Sequence, residues 1–189
     1  MNISDTSARV ILPYSRSELN SGDLLPDEAA ALRFLLPLSQ DYPGIEQWYR
    51  TKVIPGVRNG TRRLVKIERQ GDLVGLGIAK NEEGERKICT VRVAPEHSGR
   101  GVGPRIFDTL LHWLDDDMPH LTVNEGKLPL FQRIFDYYGF GKTSTRTGLY
   151  VPGSIEVGYN DPGAVPIMPQ SRALKVVPRV RRSIADSSS

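Results

Sequence analysis

Between Arg62 and Pro95 apolar and polar positions alternate in three short runs, RRLVKIER, LVGLGIAK and RKICTVRVAP. A period of two marks half-buried strands. The runs are separated by Gln70-Gly71-Asp72 and by NEEGE, so they predict a three-stranded antiparallel meander ending at Pro95. In the third run, strict alternation places Cys89, Val91 and Val93 on one face and Ile88, Thr90 and Arg92 on the other.

Elsewhere the period is helical. In LLPDEAAALRFLLPLSQ, Pro26, Asp27 and Glu28 suit a helix start, Ala29, Leu32, Leu35 and Leu36 recur at helical spacing, and Pro37 ends or bends the helix. IEQWYRTKVI (Ile45 to Ile54) predicts a second helix closed by Pro55-Gly56, ahead of a further turn at Asn59-Gly60. Beyond the meander, Ile106, Leu110 and Leu114, with Phe107 and Leu111 alongside, form the apolar stripe of a third helix. A short strand HLTVN and a fourth helix LPLFQRIFDYY follow, the helix closed by Gly139 in a left-handed cap. ARVILPYS reads as a first strand, and KTSTRTGLYV with SIEVGYN as a closing hairpin around Pro152-Gly153. This mixture of sheet and helices predicts an α+β domain over residues 10–159, after a flexible N-terminus at 1–9. From Asp161 onward Pro, Ser and Arg recur without period, which predicts a mobile tail over 160–189.

Charge changes this picture in one place. The net charge of the 189 residues is +3, and the tail alone supplies it through Arg172, Lys175, Arg179, Arg181 and Arg182 against Asp161 and Asp186. Such a tail can make weak contact with nucleic-acid phosphates, but it has no aromatic residue to stack on bases, which favours a solubilising role. No apolar run approaches the ~20 residues of a membrane span, and the first residues lack a secretory pattern, so a cytoplasmic protein is expected. The single Cys89 excludes an internal disulfide and a cysteine-cluster zinc site. His97, His112 and His120 show no ligand spacing with carboxylates, so no metal is expected.

Candidate chemistry centres on SGRGVG (Ser98 to Gly103), between a strand and the third helix. A helix N-terminus offers unpaired amides and a positive dipole end, and glycines let an anion approach them closely. The absence of Lys after Gly103 excludes a mononucleotide P-loop, and the glycine spacing excludes a dinucleotide fingerprint. From the residues alone the loop is either a phosphate cradle or a tight strand-to-helix turn.

The segment VRVAPEHSGRGVGPRIFDTLLHWL resembles the acetyl-CoA-binding motif of the GNAT superfamily of acyltransferases, where a strand ending in V-x-P precedes [QR]-x-x-G-x-[GA] and a long helix. HLTVN, LPLFQRIFDYY and Gly139-Phe140 resemble its second signature. The resemblance implies a central, mostly antiparallel, splayed sheet flanked by about four helices. It also implies an acetyl-CoA-dependent N-acetyltransferase, in which a primary amine attacks the thioester directly. Small amines, protein amines and aminoacyl-tRNA are all compatible acceptors, and a homodimer is compatible with the superfamily. The alternative is a non-catalytic acyl-CoA-binding sensor or interaction module. The amides of Ser98, Gly99, Arg100, Gly101, Val102 and Gly103 would bind the pyrophosphate. Backbone groups of Val91 and Val93 would pair with the acetyl-pantetheine arm, and the amide near Val91 would polarise the thioester carbonyl.

The sequence departs from the family at several positions. Ser98 replaces a usual Gln or Arg, Pro104 removes one amide, and Leu128 replaces a common Asn. Phe135 stands where many members carry the Tyr that protonates the departing thiolate. A thiol of pKa about 8.5 is still a tolerable leaving group. Tyr137 and Tyr138 are neighbours of that position; Tyr137 is the candidate acid, although its spacing suits a surface residue and that of Tyr138 a core one. Glu125, just after HLTVN, is the candidate general base, with Thr90 and Asn124 to orient water or substrate. Trp48 and Tyr49 fall where the acceptor site is usually capped. Glu82, Glu83 and Glu85 read as solvated turn residues, His97 as a surface histidine and Cys89 as a small core residue.

Overall fold

A computed structural model describes residues 8–10 and 24–162. The meander consists of β2 (Arg62–Arg69), β3 (Asp72–Glu82) and β4 (Glu85–Val93). Its turns are tighter than expected, two residues each. Gln70 and Gly71 have φ of 52° and 86°, and Glu83 and Gly84 have 53° and 78°. Such paired positive φ values match the right-handed twist of the flanking strands, so the strands run on into the turns.

β1 (Ala8–Val10) pairs antiparallel with β2; the rest of ARVILPYS lies outside the described residues. β5 (His120–Asn124) joins β4 in parallel, while β6 (Lys142–Thr147) and β7 (Ile155–Tyr159) form the closing hairpin, with β7 beside β5. Among the described residues the sheet has seven strands in the order β1-β2-β3-β4-β5-β7-β6 and is antiparallel except at β4–β5. This is the α+β architecture that the pattern predicted, with the mostly antiparallel sheet that the GNAT resemblance implied. Asn160 and Asp161 are tied to it, for Asn160 Nδ2 donates to Pro119 O at 3.2 Å and Thr143 Oγ1 donates to Asp161 at 2.8 Å. The basic residues of the tail lie outside the described residues.

Among the described residues there are four helical bodies. α1 (Pro26–Leu35) ends in a 3₁₀ turn, Leu36–Gln40. The second body does not close at Pro55-Gly56 as expected. α2 (Ile45–Trp48) passes through a π-helical turn, Tyr49–Val53, into α3 (Ile54–Asn59), which Gly60 caps at φ 84°. A helical proline lacks a donor and crowds the carbonyl one turn back. The wider π turn just ahead of Pro55 gives that carbonyl room. α4 (Val102–Leu114) and α5 (Leu128–Tyr138) match the pattern, and Gly139 caps α5 at φ 72°. None of these helices is long and apolar enough to cross a membrane.

The sheet separates two cores. On one face α4 and α5 bury Ile106, Phe107, Leu110, Leu114 and Phe135 against Val65, Ile67, Ile88 and Val157. Each such side chain contributes about 1.5–3 kcal/mol. Glycines on β3 let α4 approach closely: a Cβ at Gly75 would lie 2.4 Å from Val102 Cγ1, and one at Gly77 would lie 2.2 Å from Ile106 Cγ2. On the other face α1 to α3 bury Leu32, Leu35, Tyr49, Val53 and Val57 against Leu64, Leu76 and Ile78. Buried Glu28 fixes this layer. Arg58 donates to its two carboxylate oxygens at 3.2 and 2.7 Å, and Tyr49 Oη donates to its carbonyl at 2.9 Å.

β4 departs from the strict alternation of its sequence. Ile78 pairs with Thr90 but Ala79 pairs with Ile88, which leaves Cys89 as an extra residue in a bulge. The faces therefore swap there. Ile88 joins Val91 and Val93 under α4 and α5, while Cys89 packs on the α1–α3 side.

Candidate active site

A bulge bends its strand and strengthens the local twist. Immediately past this one, β4 leaves β5: their ladder consists of Lys87 opposite His120 and Ile88 opposite Leu121. From there the two parallel strands diverge into a V. Ala94 N–H donates to Val74 O at 2.9 Å, towards β3. Successive strand residues aim their backbone groups to opposite sides, so Arg92 turns with Ala94, and Val91 and Val93 present theirs to the open edge.

At the wide end of the V the chain makes a 3₁₀ turn, Pro95–His97, and enters the glycine loop. Gly99 and Gly101 take φ of 73° and 79°, and Gly101 is the N-cap of α4. A Cβ on either would project into open space, so each glycine is required by its backbone conformation and not by crowding. The amides of Val102 and Gly103 head the helix, where no carbonyl one turn back can accept from them. Arg69 Nη2 donates to Arg100 O at 3.0 Å and ties the loop to the end of β2. Ser98, Gly99, Arg100 and Gly101 are exposed, Val102 and Gly103 buried. Val91, Val93 and the residues Ser98 to Gly103 are thus arranged along one continuous path.

That path leads into a cavity of about 420 Å³ at the apex of the V. Ile88, Phe107, Leu121, Phe131 and Phe135 line it on the α4–α5 side. Tyr42, Trp48, Cys89, Thr90, Thr122 and Tyr150 line it on the other. Phe135 is 1% exposed and packs against Phe131, Phe140 and Tyr159 with centroids 5.6, 5.8 and 4.6 Å away. It brings no hydroxyl to the cavity. Burial, with the Glu156, Tyr150 and Asp41 charges added, holds the Tyr42 phenol above its ordinary range. Burial likewise raises the Cys89 thiol, so it stays protonated at neutral pH.

The expected catalytic residues do not converge. Thr90 lines the cavity. Asn124 and Glu125 line a separate hollow of about 370 Å³ with Asp41 and Ser154. Asn124 is engaged in the scaffold, its Nδ2 donating to Ser154 Oγ at 2.6 Å and Glu156 Oε1 at 3.3 Å, its Oδ1 accepting from Gly126 N. Glu125 is exposed at the rim of that hollow. Tyr137 is 69% exposed at the end of α5, against Tyr138, and lines neither cavity. Tyr138 packs on the α4–α5 core, and its hydroxyl donates to Asp108 Oδ1 at 2.8 Å. Of the two aromatics expected to cap the acceptor, Trp48 reaches the cavity and Tyr49 is wholly buried.

Three further readings change. Cys89 packs against the α1–α3 core but is only half-buried there, at the cavity wall. His97 is half-buried rather than a surface residue. Glu82 and Glu85 are not simply solvated: Glu82 accepts from Arg62 at 3.3 Å, and Glu85 holds Lys80 and His120. Burial pushes the Glu85 carboxyl up, but Lys80 and His120 outweigh it, and the group titrates below the usual carboxylate range.

Sequence reasoning missed the charges at this cavity. Arg62, Lys80, Lys87 and Lys127 all line it. The signal was present, because a two-residue turn at Glu83-Gly84 places Lys80 directly opposite Lys87.

A slot between two diverging parallel strands, led into by a glycine loop at a helix start, is the arrangement that the resemblance to the GNAT acyltransferases implies. The model of the acetyltransferase (GNAT) family matches residues 29–137, more than half of the chain, and the chain belongs to that family. Ard1 from Thermoplasma volcanium is similar in structure, with a TM-score of 0.60 at 16% identity over 82% of this chain and 95% of that one. The ribosomal-protein-S18-alanine N-acetyltransferase from Escherichia coli gives 0.55 at 14% identity over 90% and 99%. An aminoglycoside 6′-N-acetyltransferase complexed with coenzyme A gives 0.54 at 13% identity over 78% and 95%. At these identities the likeness is one of fold. No curated protein matches the chain.

Proposed function

We propose that this protein is an acetyl-CoA-dependent N-acetyltransferase. The observation that carries the reading is the unpaired edge of β4, where Val91 and Val93 face the V that joins the Gly99–Gly101 loop to the cavity. The loop amides and the helix N-terminus suit the pyrophosphate, and the β4 edge suits the pantetheine amides as an added strand would. Acetyl-CoA supplies an activated acetyl group. The amine nitrogen forms a bond to the acetyl carbon, the carbon–sulfur bond breaks, the sulfur leaves as thiolate, and the amine gives up one proton.

The chain's own part is to hold and polarise. Val91 N–H is aimed at the developing negative charge on the carbonyl oxygen. Thr90, at the same cavity, orients the amine or a water, and Phe107, Phe131 and Phe135 give the cavity an aromatic floor. The thiolate leaves without a tyrosine donor at position 135.

Gly101→Glu is the test, read against Gly101→Ala, which carries the same backbone strain without placing a carboxylate where the pyrophosphate would sit. Gly101→Glu is expected to keep its fold and lose acetyl-CoA binding in calorimetry together with transfer of labelled acetyl to amine pools of a cell extract. Undiminished binding would remove the loop assignment. Binding by the wild type without transfer to any pool would favour the alternative, a non-catalytic acyl-CoA-binding module, which Phe135 supports.

A further inference from the structure

Arg62 of β2 pairs with Lys80 of β3, and Lys80 pairs with Lys87 of β4. Residues directly opposite in an antiparallel pair share a face, with Cβ atoms about 4.5–5.5 Å apart, and like charges there are destabilising. Here three cations stand in one row across three strands, and all three line the cavity. A fourth, Lys127, lines it from the turn after β5. Among the described residues no carboxylate lines this cavity.

The carboxylates that balance the row stand outside the lining. Glu82 takes Arg62, Glu85 takes Lys80 and Asp41 takes Lys127. Lys87 makes no close ion pair among the described residues; Glu85, already held by Lys80, feels its charge from further away. The donor's phosphates do not need it. From Lys87 to Val93 is six strand residues, about 20 Å, and the glycine loop lies further still. The row is therefore at the opposite end of the cleft from the pyrophosphate.

A polycationic acceptor is disfavoured by such a wall. An amine with its own anion is drawn to it, and the same positive surroundings disfavour the ammonium form of the attacking nitrogen, which makes that nitrogen a better nucleophile. The volume of about 420 Å³ suits a small molecule.

Resting on the transferase reading, we propose that the acceptor is a small amine that also carries an anionic group, a carboxylate or a phosphate, and that Lys87, backed by Arg62 and Lys80, holds that anion.

The test pairs each anionic amine with a counterpart that lacks the anion: glycine with glycinamide, and glucosamine 6-phosphate with glucosamine. Kanamycin serves as the polycation. Acetyl transfer and calorimetric binding to the coenzyme A-loaded protein are both measured, for the wild type and for Lys87→Glu. The anionic member of at least one pair is expected to exceed its counterpart about tenfold or more in kcat/KM, and which pair responds separates carboxylate from phosphate. Lys87→Glu should erase that preference through KM, with acetyl-CoA binding unchanged. Equal use of both members in each pair, a preference for kanamycin, or an anion preference that survives Lys87→Glu would overturn the proposal. Transfer to no amine, with Lys87-dependent binding of an anionic member, would uphold the anion site and overturn the transferase reading instead.

Discussion

Gly77 of β3 lies directly beneath Ile106 of α4, so close that a methyl group there would come within 2.2 Å of Ile106 Cγ2. The helix that carries the glycine loop is held at its height by the lack of a side chain on the strand below. Gly77→Ala should push α4 outward and cost about 1–3 kcal/mol, as overpacking of a dense core does. Because the loop moves with the helix, acetyl-CoA affinity should fall as well. Urea unfolding and calorimetry read the two effects, and a variant with unchanged affinity would show that the loop is positioned from elsewhere, for instance by Arg69.

Val91→Pro tests the polarising amide. The Val91 N–H faces the open edge of β4, so a proline there removes no ladder bond to β3. The fold should survive by circular dichroism. The turnover number should drop about 10²–10³-fold, the size expected for loss of one oxyanion donor. A drop confined to KM would assign the Val91 amide to binding alone.

Glu28→Ala should be among the more damaging single changes outside the cleft. Glu28 is 2% exposed and accepts both Arg58 bonds, while its backbone carbonyl holds Tyr49 Oη. Loss of one member of a buried pair costs about 3–5 kcal/mol, and the lower end applies because Arg58 is 28% exposed and gains water. Thermal unfolding measures it. A loss below 1 kcal/mol would mean that the pair only offsets its own desolvation.

Much of this architecture was legible in the sequence because local signals agreed with the fold. The side-to-side alternation of β2, the stripe of α4 and the Gly139 cap survive, whereas β3 carries a bulge at Val74 that its sequence does not mark. Two further features were not legible. The bulge at Cys89 breaks the period of two inside an otherwise regular run, and nothing in ICTVRV marks which residue is extra. The continuation of α3 through Pro55 depends on a π turn whose ladder shift leaves no trace in composition. In the site, the glycine loop was legible as a contiguous motif. The cationic row forms no contiguous motif, because Arg62, Lys80 and Lys87 are far apart in sequence and meet only through strand register.

Glu156 gives a prediction with a defined pH sense. It is 1% exposed on β7, its Oε1 accepts from Asn124 Nδ2 at 3.3 Å, and its Oε2 has no partner among the described residues. Burial raises its pKa above the ordinary carboxylate value of 4.5; the hydrogen bonds from Asn124 and Ser154 oppose this, and the nearby Asp41 adds to it. A carboxyl whose pKa is higher folded than unfolded stabilises the fold fully below the unfolded value and loses that contribution as pH rises through the folded value. At neutral pH the native state therefore carries an ionised carboxylate that its surroundings disfavour. Glu156→Gln removes that charge while keeping an oxygen for Asn124. The variant should melt at a higher temperature than wild type at pH 7, and the gain should shrink as pH falls and the native carboxyl takes up its proton. Melting curves at several pH values decide it, and a gain that does not vary with pH would locate the effect in packing rather than in ionisation.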